Sequence, residues 1–168
     1  MAGDPSPGPQ SFGAGIHLYL VAGGFAAFFV ALSVFAAVQR GDWAVPAAVV
    51  GGAVVLLALP QVLRLEVGPD KFKYRNLSGS REVEFADVRR AYFEVIERNG
   101  VAAAAFWVDR SSGTRVKVNL RTFPIRAAAA LFSALEARGI AIEVPDHPAA
   151  RRVRDQVRAA QAESPRTE

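Results

Sequence analysis

Side chains able to do chemistry are few in this chain, and their spacing is poor. Cysteine is absent, which excludes disulfides, thiolate metal sites and cysteine nucleophiles. Histidine occurs twice, at His17 and His147. His17 opens a long apolar run and reads as an interfacial residue. His147 stands among prolines (Pro145, Pro148) with no second histidine near it. No His-Glu-x-x-His, Gly-x-Ser-x-Gly or phosphate-loop pattern occurs. Gly13-Ala14-Gly15 precedes an apolar run and not a βαβ unit, so it is no dinucleotide fingerprint. The expectation is a protein without catalytic, metal or cofactor residues, hence no enzyme. A small membrane enzyme is the competing reading, but no residue can be named for it.

Basic and aromatic residues carry a milder signal. Lys71, Lys73 and Arg75 alternate, so a strand places them on one face. They follow closely on the second apolar run. A juxtamembrane Lys or Arg is worth about 1 kcal/mol at an anionic leaflet. The competing reading is that Glu82 and Glu84 neutralise them across a hairpin. Tyr92 and Trp107 are the second candidate, as an outward apolar patch for a partner or membrane. Against that, Lys117 can cover Trp107 by cation–π packing, or the last strand or helix can bury it. In the C-terminal stretch, Arg151, Arg152, Arg154 and Arg158 can lie along a short helix whose only apolar face is Val153 and Val157, at i and i+4. That apolar face is too thin for membrane insertion, and a solvated tail is expected. No aromatic-basic motif speaks for nucleic acid.

The elements that position these residues fall into two regions. The chain has 168 residues and a net charge of +4, and no Asp, Glu, Lys or Arg occurs from Ser11 to Gln39. The first apolar run spans Ile16 to Val38, about 34 Å as a helix, against a hydrocarbon core of about 30 Å. The second spans Trp43 to Leu63. Neither shows a polar face, and in lipid a helix is the form that satisfies every backbone amide. Gln39-Arg40-Gly41-Asp42 makes a polar turn; Asp42 is placed to cap the second helix and Trp43 to sit at the interface. Pro46 lies in the first turn and Pro60 near the exit. Gly23, Gly24, Ala27, Ala47, Ala48, Gly51 and Gly52 are small enough to let the helices pack closely. The stretch before the first run has no Lys or Arg, which speaks against a cleaved signal peptide. Neither run holds an ionisable residue at mid-depth, so nothing indicates a channel or transporter. Arg64, Lys71, Lys73 and Arg75 follow the second run, whereas Arg40 is alone between the runs. The positive-inside rule then places the C-terminal domain and the N-terminus in the cytoplasm.

From Val62 onward the pattern has period two. Strands are expected at 62–67, 71–76, 81–85, 88–97, 102–110 and 114–120, separated by turns at Gly68-Pro69-Asp70, Ser78-Gly79-Ser80, Asn99-Gly100 and Ser111-Ser112-Gly113. The side chains predict a register. Phe72 faces Phe85, Tyr74 faces Val83, Lys73 faces Glu84 and Arg75 faces Glu82. Farther on, Phe93 faces Phe106, Ala91 faces Val108 and Tyr92 faces Trp107, with Val116 and Val118 beside Val108 and Phe106. A helix over about 124–138 follows, with Ile125, Ala128, Phe132 and Leu135 as its stripe and Gly139 as its stop.

This order of strands, the stretch Ser80–Ala91 with its Asp87-Val88-Arg89-Arg90 turn, and the final amphipathic helix resemble bacterial PH-like domains. Such domains often follow a pair of transmembrane helices. The resemblance covers about Leu63 to Gly139. It implies a PH-like barrel and an interaction role, and carries over no catalytic or phosphoinositide-binding residue. The fold class expected is therefore an α+β membrane protein. Residues 1–15 form a disordered N-terminus, 16–63 a transmembrane hairpin, 64–145 a PH-like antiparallel β-barrel or sheet with a C-terminal helix, and 146–168 a basic flexible tail. The function expected is a multi-pass module of the bacterial plasma membrane that binds a protein partner or the anionic headgroups of the inner leaflet. The alternative is an accessory subunit that docks to a larger membrane complex through its hairpin.

Overall fold

Two helices dominate the N-terminal third of the chain, and almost nothing covers them. The structure, a computed structural model, describes residues 8–41 and 43–163. Helix α1 runs Ile16–Arg40 and α2 runs Ala44–Val62. Both are long and apolar enough to cross a membrane, and only 22% and 11% of their most apolar stretches are buried. Phe28 and Phe35 are more than 60% exposed, as are Val54 and Val55. A core helix of a soluble protein buries such side chains; these helices bury only a seam. Helix α1 contributes Ala22, Ala26, Ser33 and Ala37 to it, a four-seven-four spacing that keeps one narrow stripe against its neighbour. The glycines play a smaller part than expected. Gly23 approaches Leu57, whereas Gly24, Gly51 and Gly52 have nothing near them. Gly41 ends α1 in the left-handed region at φ 74°, its N–H donating to the Ala37 carbonyl at 2.7 Å. Asp42, the expected cap, lies outside the described residues.

The remainder is α+β, and the described residues form eight strands in two four-stranded sheets. The first has the order β1 (Gln10–Gly13), β2 (Arg64–Val67), β3 (Lys71–Asn76), β4 (Gly79–Glu84), all antiparallel. The second has the order β7 (Arg115–Val118), β6 (Val101–Arg110), β5 (Val88–Arg98), β8 (Ile142–Glu143), with β8 parallel to β5. Neither sheet closes on itself, so the expected barrel is here a pair of open sheets. Helix α3 (Ile125–Glu136) packs into the core with them. Its Phe132 ring lies 5.9 Å from Phe93 and 5.1 Å from Phe106, while Tyr74 meets Phe123 at 5.9 Å. Ile125, expected on the apolar stripe, is exposed; Leu131, Phe132 and Leu135 are fully buried.

Three expectations need correction. Residues 10–13 are not disordered. They form β1, because Phe12 pairs with Leu65 and packs on the core; residues 1–7 lie outside the described part. The C-terminal stretch is not a flexible tail as far as Glu163. Helix α4 (Pro148–Glu163) buries Ala150 and Val157 completely and packs Val153 and Ala160 beside them. Those four positions follow a three-four-three spacing, a wider stripe than two valines offer. Arg158 meets Glu136 on α3 at 2.7 Å, and Gln161 donates to Ser133 at 2.9 Å.

The third correction is register. Between β3 and β4, Phe72 pairs with Val83, Lys73 with Glu82 and Arg75 with Ser80, two residues from expectation. A slip of two keeps every side chain on its face, so the apolar pattern does not decide between the registers. The turn does. Asn76 accepts from the Ser78 N–H at 2.9 Å, and Gly79 takes φ 128°, leaving Leu77 and Ser78 alone as the loop. Phe85 then leaves the strand for a short 3-10 turn, Phe85–Asp87. The pairings across β5, β6 and β7 are those expected.

Candidate interaction surfaces

The outer face of the second sheet holds Tyr92 and Trp107 side by side. Their rings are not bare. The Arg90 guanidinium stacks 4.7 Å from the Tyr92 centroid, and Arg115 lies 5.8 Å from Tyr92 and 5.6 Å from Trp107. Lys117 stands 5.6 Å from Trp107. Arg90 is held in turn by Glu143 of β8, its Nε donating at 2.6 Å. That pairing keeps the Glu143 carboxyl below, and Arg90 above, the usual range. Arg115 meets Asp109 at 3.2 Å, and the Tyr92 hydroxyl donates to the same carboxylate at 3.4 Å. Burial, then the Asp109 charge, pushes the Tyr92 hydroxyl up. The face is thus a lattice of cations laid over aromatics. On the same face Ala105 is buried, and the Trp107 Nε1 is buried without an acceptor among the described residues. β8 binds the lattice from one edge, so the sheet face is largely self-covered.

The outer face of the first sheet separates the three basic candidates. Lys71 donates to Glu82 at 2.6 Å; the bond raises the lysine and lowers the carboxyl. Both are exposed, so the pair adds little stability. Lys73 stands in register with Glu66 on one side and Glu82 on the other. Arg75 differs. Its cross-strand neighbours are Ser80 and Arg64, not the expected Glu82. Arg64 reaches back to Glu66 at 3.8 Å, and among the described residues Arg75 meets no carboxylate. Like charges placed opposite on a sheet are destabilising, and Glu66 is the one carboxylate among the described residues that meets this pair at this end of the sheet.

That end is where the helices enter. β1 leads into α1 and α2 leads into β2, so both feet of the helical hairpin belong to one antiparallel ladder. The Gly15 N–H donates to the Thr122 carbonyl at 2.7 Å, tying the start of α1 to the turn Leu120–Thr122 that carries Arg121. The β3–β4 loop reaches the same place. Leu77, 65% exposed, lines an apolar hollow of about 430 Å³ with Leu18, Phe25, Leu59 and Leu63. Arg64 and Arg75, paired across β2 and β3, therefore lie close in the chain to Leu63 and Leu77 of this hollow, while the turn that carries Arg121 is tied to the start of α1. Of Arg64, Arg75, Arg121 and Leu77, the sequence offered only Arg75 as a contact residue and Arg64 only as a charge that orients the domain. An isolated leucine inside the polar turn Asn76-Leu77-Ser78-Gly79 was the available signal.

The other corner of the second sheet is anchored by Asp87. It accepts from the Ser111 hydroxyl and from Arg110, the latter at 2.5 Å. Those bonds, with Ser111 first, hold its carboxyl below the usual range.

Comparison of the chain with protein-family models, with curated proteins and with solved structures returns no match.

Proposed function

We propose that the chain is a membrane-anchored, PH-like docking module without catalytic activity, seated on the anionic inner leaflet of a bacterial plasma membrane. Its N-terminus and its β domain both lie in the cytoplasm. The observation that carries this reading is the foot of the hairpin, where Leu77 stands beside the helices and Arg64 and Arg75 face each other without a sufficient counter-charge. An anionic headgroup layer supplies that charge, at about 1 kcal/mol per basic residue. The PH-like reading is supported by element order. With β1 counted, four strands and then three precede α3, and the helical hairpin interrupts the domain between its first and second strands. The open sheets and the added β8 depart from that pattern.

The test uses the full chain in nanodiscs of neutral or anionic phospholipid. The protein has no cysteine, so Leu77→Cys takes a single environment-sensitive fluorophore. Its emission is expected to shift to the blue in both lipids, farther in anionic discs, and Arg75→Glu is expected to remove the difference. A label that reports bulk water in both lipids refutes the seating.

A second reading has its own observation. A side chain at Gly24, Gly51 or Gly52 would meet open space and not the partner helix, and Gly24 is followed by the exposed Phe25. An accessory subunit that packs its hairpin against a larger complex uses such a face. Gly51→Leu then disrupts that assembly and spares the hairpin; an unchanged complex rejects the reading.

A further inference from the structure

Beside strand β1 an open groove of about 530 Å³ runs along α3. Phe12, Val67, Ala129 and Ala130 supply apolar lining, and among the described residues no carboxylate lines it. Three independent features bear on what fills it. First, β1 is the edge of its sheet, paired only with β2, and Gln10, Ser11 and Gly13 are exposed. An edge strand presents unpaired N–H and C=O groups to any extended chain beside it.

Second, two arginines mark the length of the groove. Arg126 and Arg138 stand twelve positions apart along α3 and the turn that ends it, about 18 Å by helical rise. That is roughly the span of five extended residues. Arg138 is held in place, its Nη1 donating to the Ala134 carbonyl at 2.8 Å and its guanidinium 4.3 Å over the Phe85 ring. Arg126 meets no carboxylate among the described residues. Third, Gln161 of α4 reaches the groove wall and spends its amide N–H on Ser133 at 2.9 Å. Its Oε1 is left buried without a donor among the described residues, and a turn of the amide toward the groove lets an N–H from an occupant satisfy it.

We infer that this groove binds an extended acidic segment of a partner protein, which adds to β1 as a further strand. Main-chain bonds to β1 supply affinity, and alternate side chains enter the apolar lining. Carboxylates near the two ends meet Arg126 and Arg138, and a donor meets Gln161. A lipid headgroup fits less well. The Arg126 end adjoins the foot of α1 through Thr122 and Gly15, whereas the Arg138 end lies by Gly68 and Pro69, at the opposite end of β2 from Arg64. An occupant touching both must run away from the helices over the whole 18 Å, roughly, which a peptide does and a headgroup does not.

The inference rests on reading the domain as a docking module. Its test measures fluorescence anisotropy of a labelled, end-blocked hexapeptide, Glu-Val-Ala-Val-Ala-Glu, against the full chain in neutral phosphatidylcholine nanodiscs. Saturable binding is expected. Arg126→Glu and Arg138→Glu should each weaken it about fivefold, as exposed ion pairs do, and Arg126→Glu, which breaks no contact shown within the chain, carries the test should Arg138→Glu disturb its contacts with Ala134 and Phe85. N-methylation of alternate peptide amides should abolish binding, and amide exchange at residues 10–13 should slow in the complex. No binding, equal binding of the lysine-substituted peptide, or indifference to both arginine variants overturns the inference. So does protection of the groove by phosphatidylglycerol discs that ignores Arg138→Glu, which marks a lipid site. If the Leu77 label still reports immersion in those cases, the seated module stands and only the groove assignment falls.

Discussion

Strand β1 joins a segment that precedes the helices to a domain that follows them, and Phe12→Ala measures how firmly. Phe12 is half-buried and stands opposite Leu65, whose side chain is fully buried. Truncating a fully buried Phe costs about 3–5 kcal/mol; half that burial gives about 2 kcal/mol. β1 has one neighbour and four residues, so the loss falls on local opening of the strand and not on the whole domain. A 2 kcal/mol loss speeds exchange of the β1 amides, and of the β2 amides bonded to them, by about 30-fold. The amides of β5 and β6 should keep their protection. The assay is hydrogen exchange read by mass spectrometry on the full chain in nanodiscs. If residues 10–13 exchange at free-peptide rates in the wild type, or if Phe12→Ala leaves them unchanged, β1 does not hold the hairpin to the sheet.

Three further outcomes test other parts of the structure. Val157→Ala should cost about 2 kcal/mol, read by chemical unfolding, because the side chain is wholly buried between α4 and the core; Val157→Asp should undock α4 and expose its amides while the sheets hold. The Asp87 carboxyl is depressed by Ser111 and Arg110. Its contribution is therefore full above the ordinary carboxylate pKa and is lost as pH falls through the lowered value. The Ser111 amide, bonded to the Asp87 carbonyl at 2.8 Å, should begin to shift by NMR only below about pH 4; a midpoint above the normal Asp range contradicts the assignment. In a Trp43→Phe background, Arg115→Ala with Lys117→Ala should uncover Trp107, moving its emission to the red and increasing acrylamide quenching; unchanged quenching would show that the cations do not shield the ring.

What the sequence reveals here depends on how local the deciding contacts are. The β5–β6 register follows from a turn read directly, since Asn99 at φ 52° and Gly100 at φ 74° make the two-residue turn that fixes pairing. The β3–β4 register rests on apolar matching, which a two-residue slip satisfies equally well. β1 is short, flanked by prolines and glycines, and its partner lies far along the chain, so periodicity gives no sign of it. α4 escapes because alanines at 150 and 160 complete its buried stripe, and alanine carries no pattern in an alanine-rich sequence. Of the candidate contacts, Tyr92 and Trp107 are paired as expected but lie under arginine and lysine. Lys71 and Lys73 are matched by carboxylates. Arg75 alone stays open, because the register moved its expected partner away.

The interruption of the first sheet by two helices also orders events during synthesis. About 50 residues separate β1 from β2, and closing a flexible loop of that length costs about 3–4 kcal/mol. A helical hairpin removes most of this cost by bringing its own ends together before the strands meet. Until both helices have formed and turned back, Phe12 has no Leu65 to face. Completion of the first sheet thus reports that the hairpin has closed, and a chain whose second helix fails to return leaves the edge of β2 unpaired.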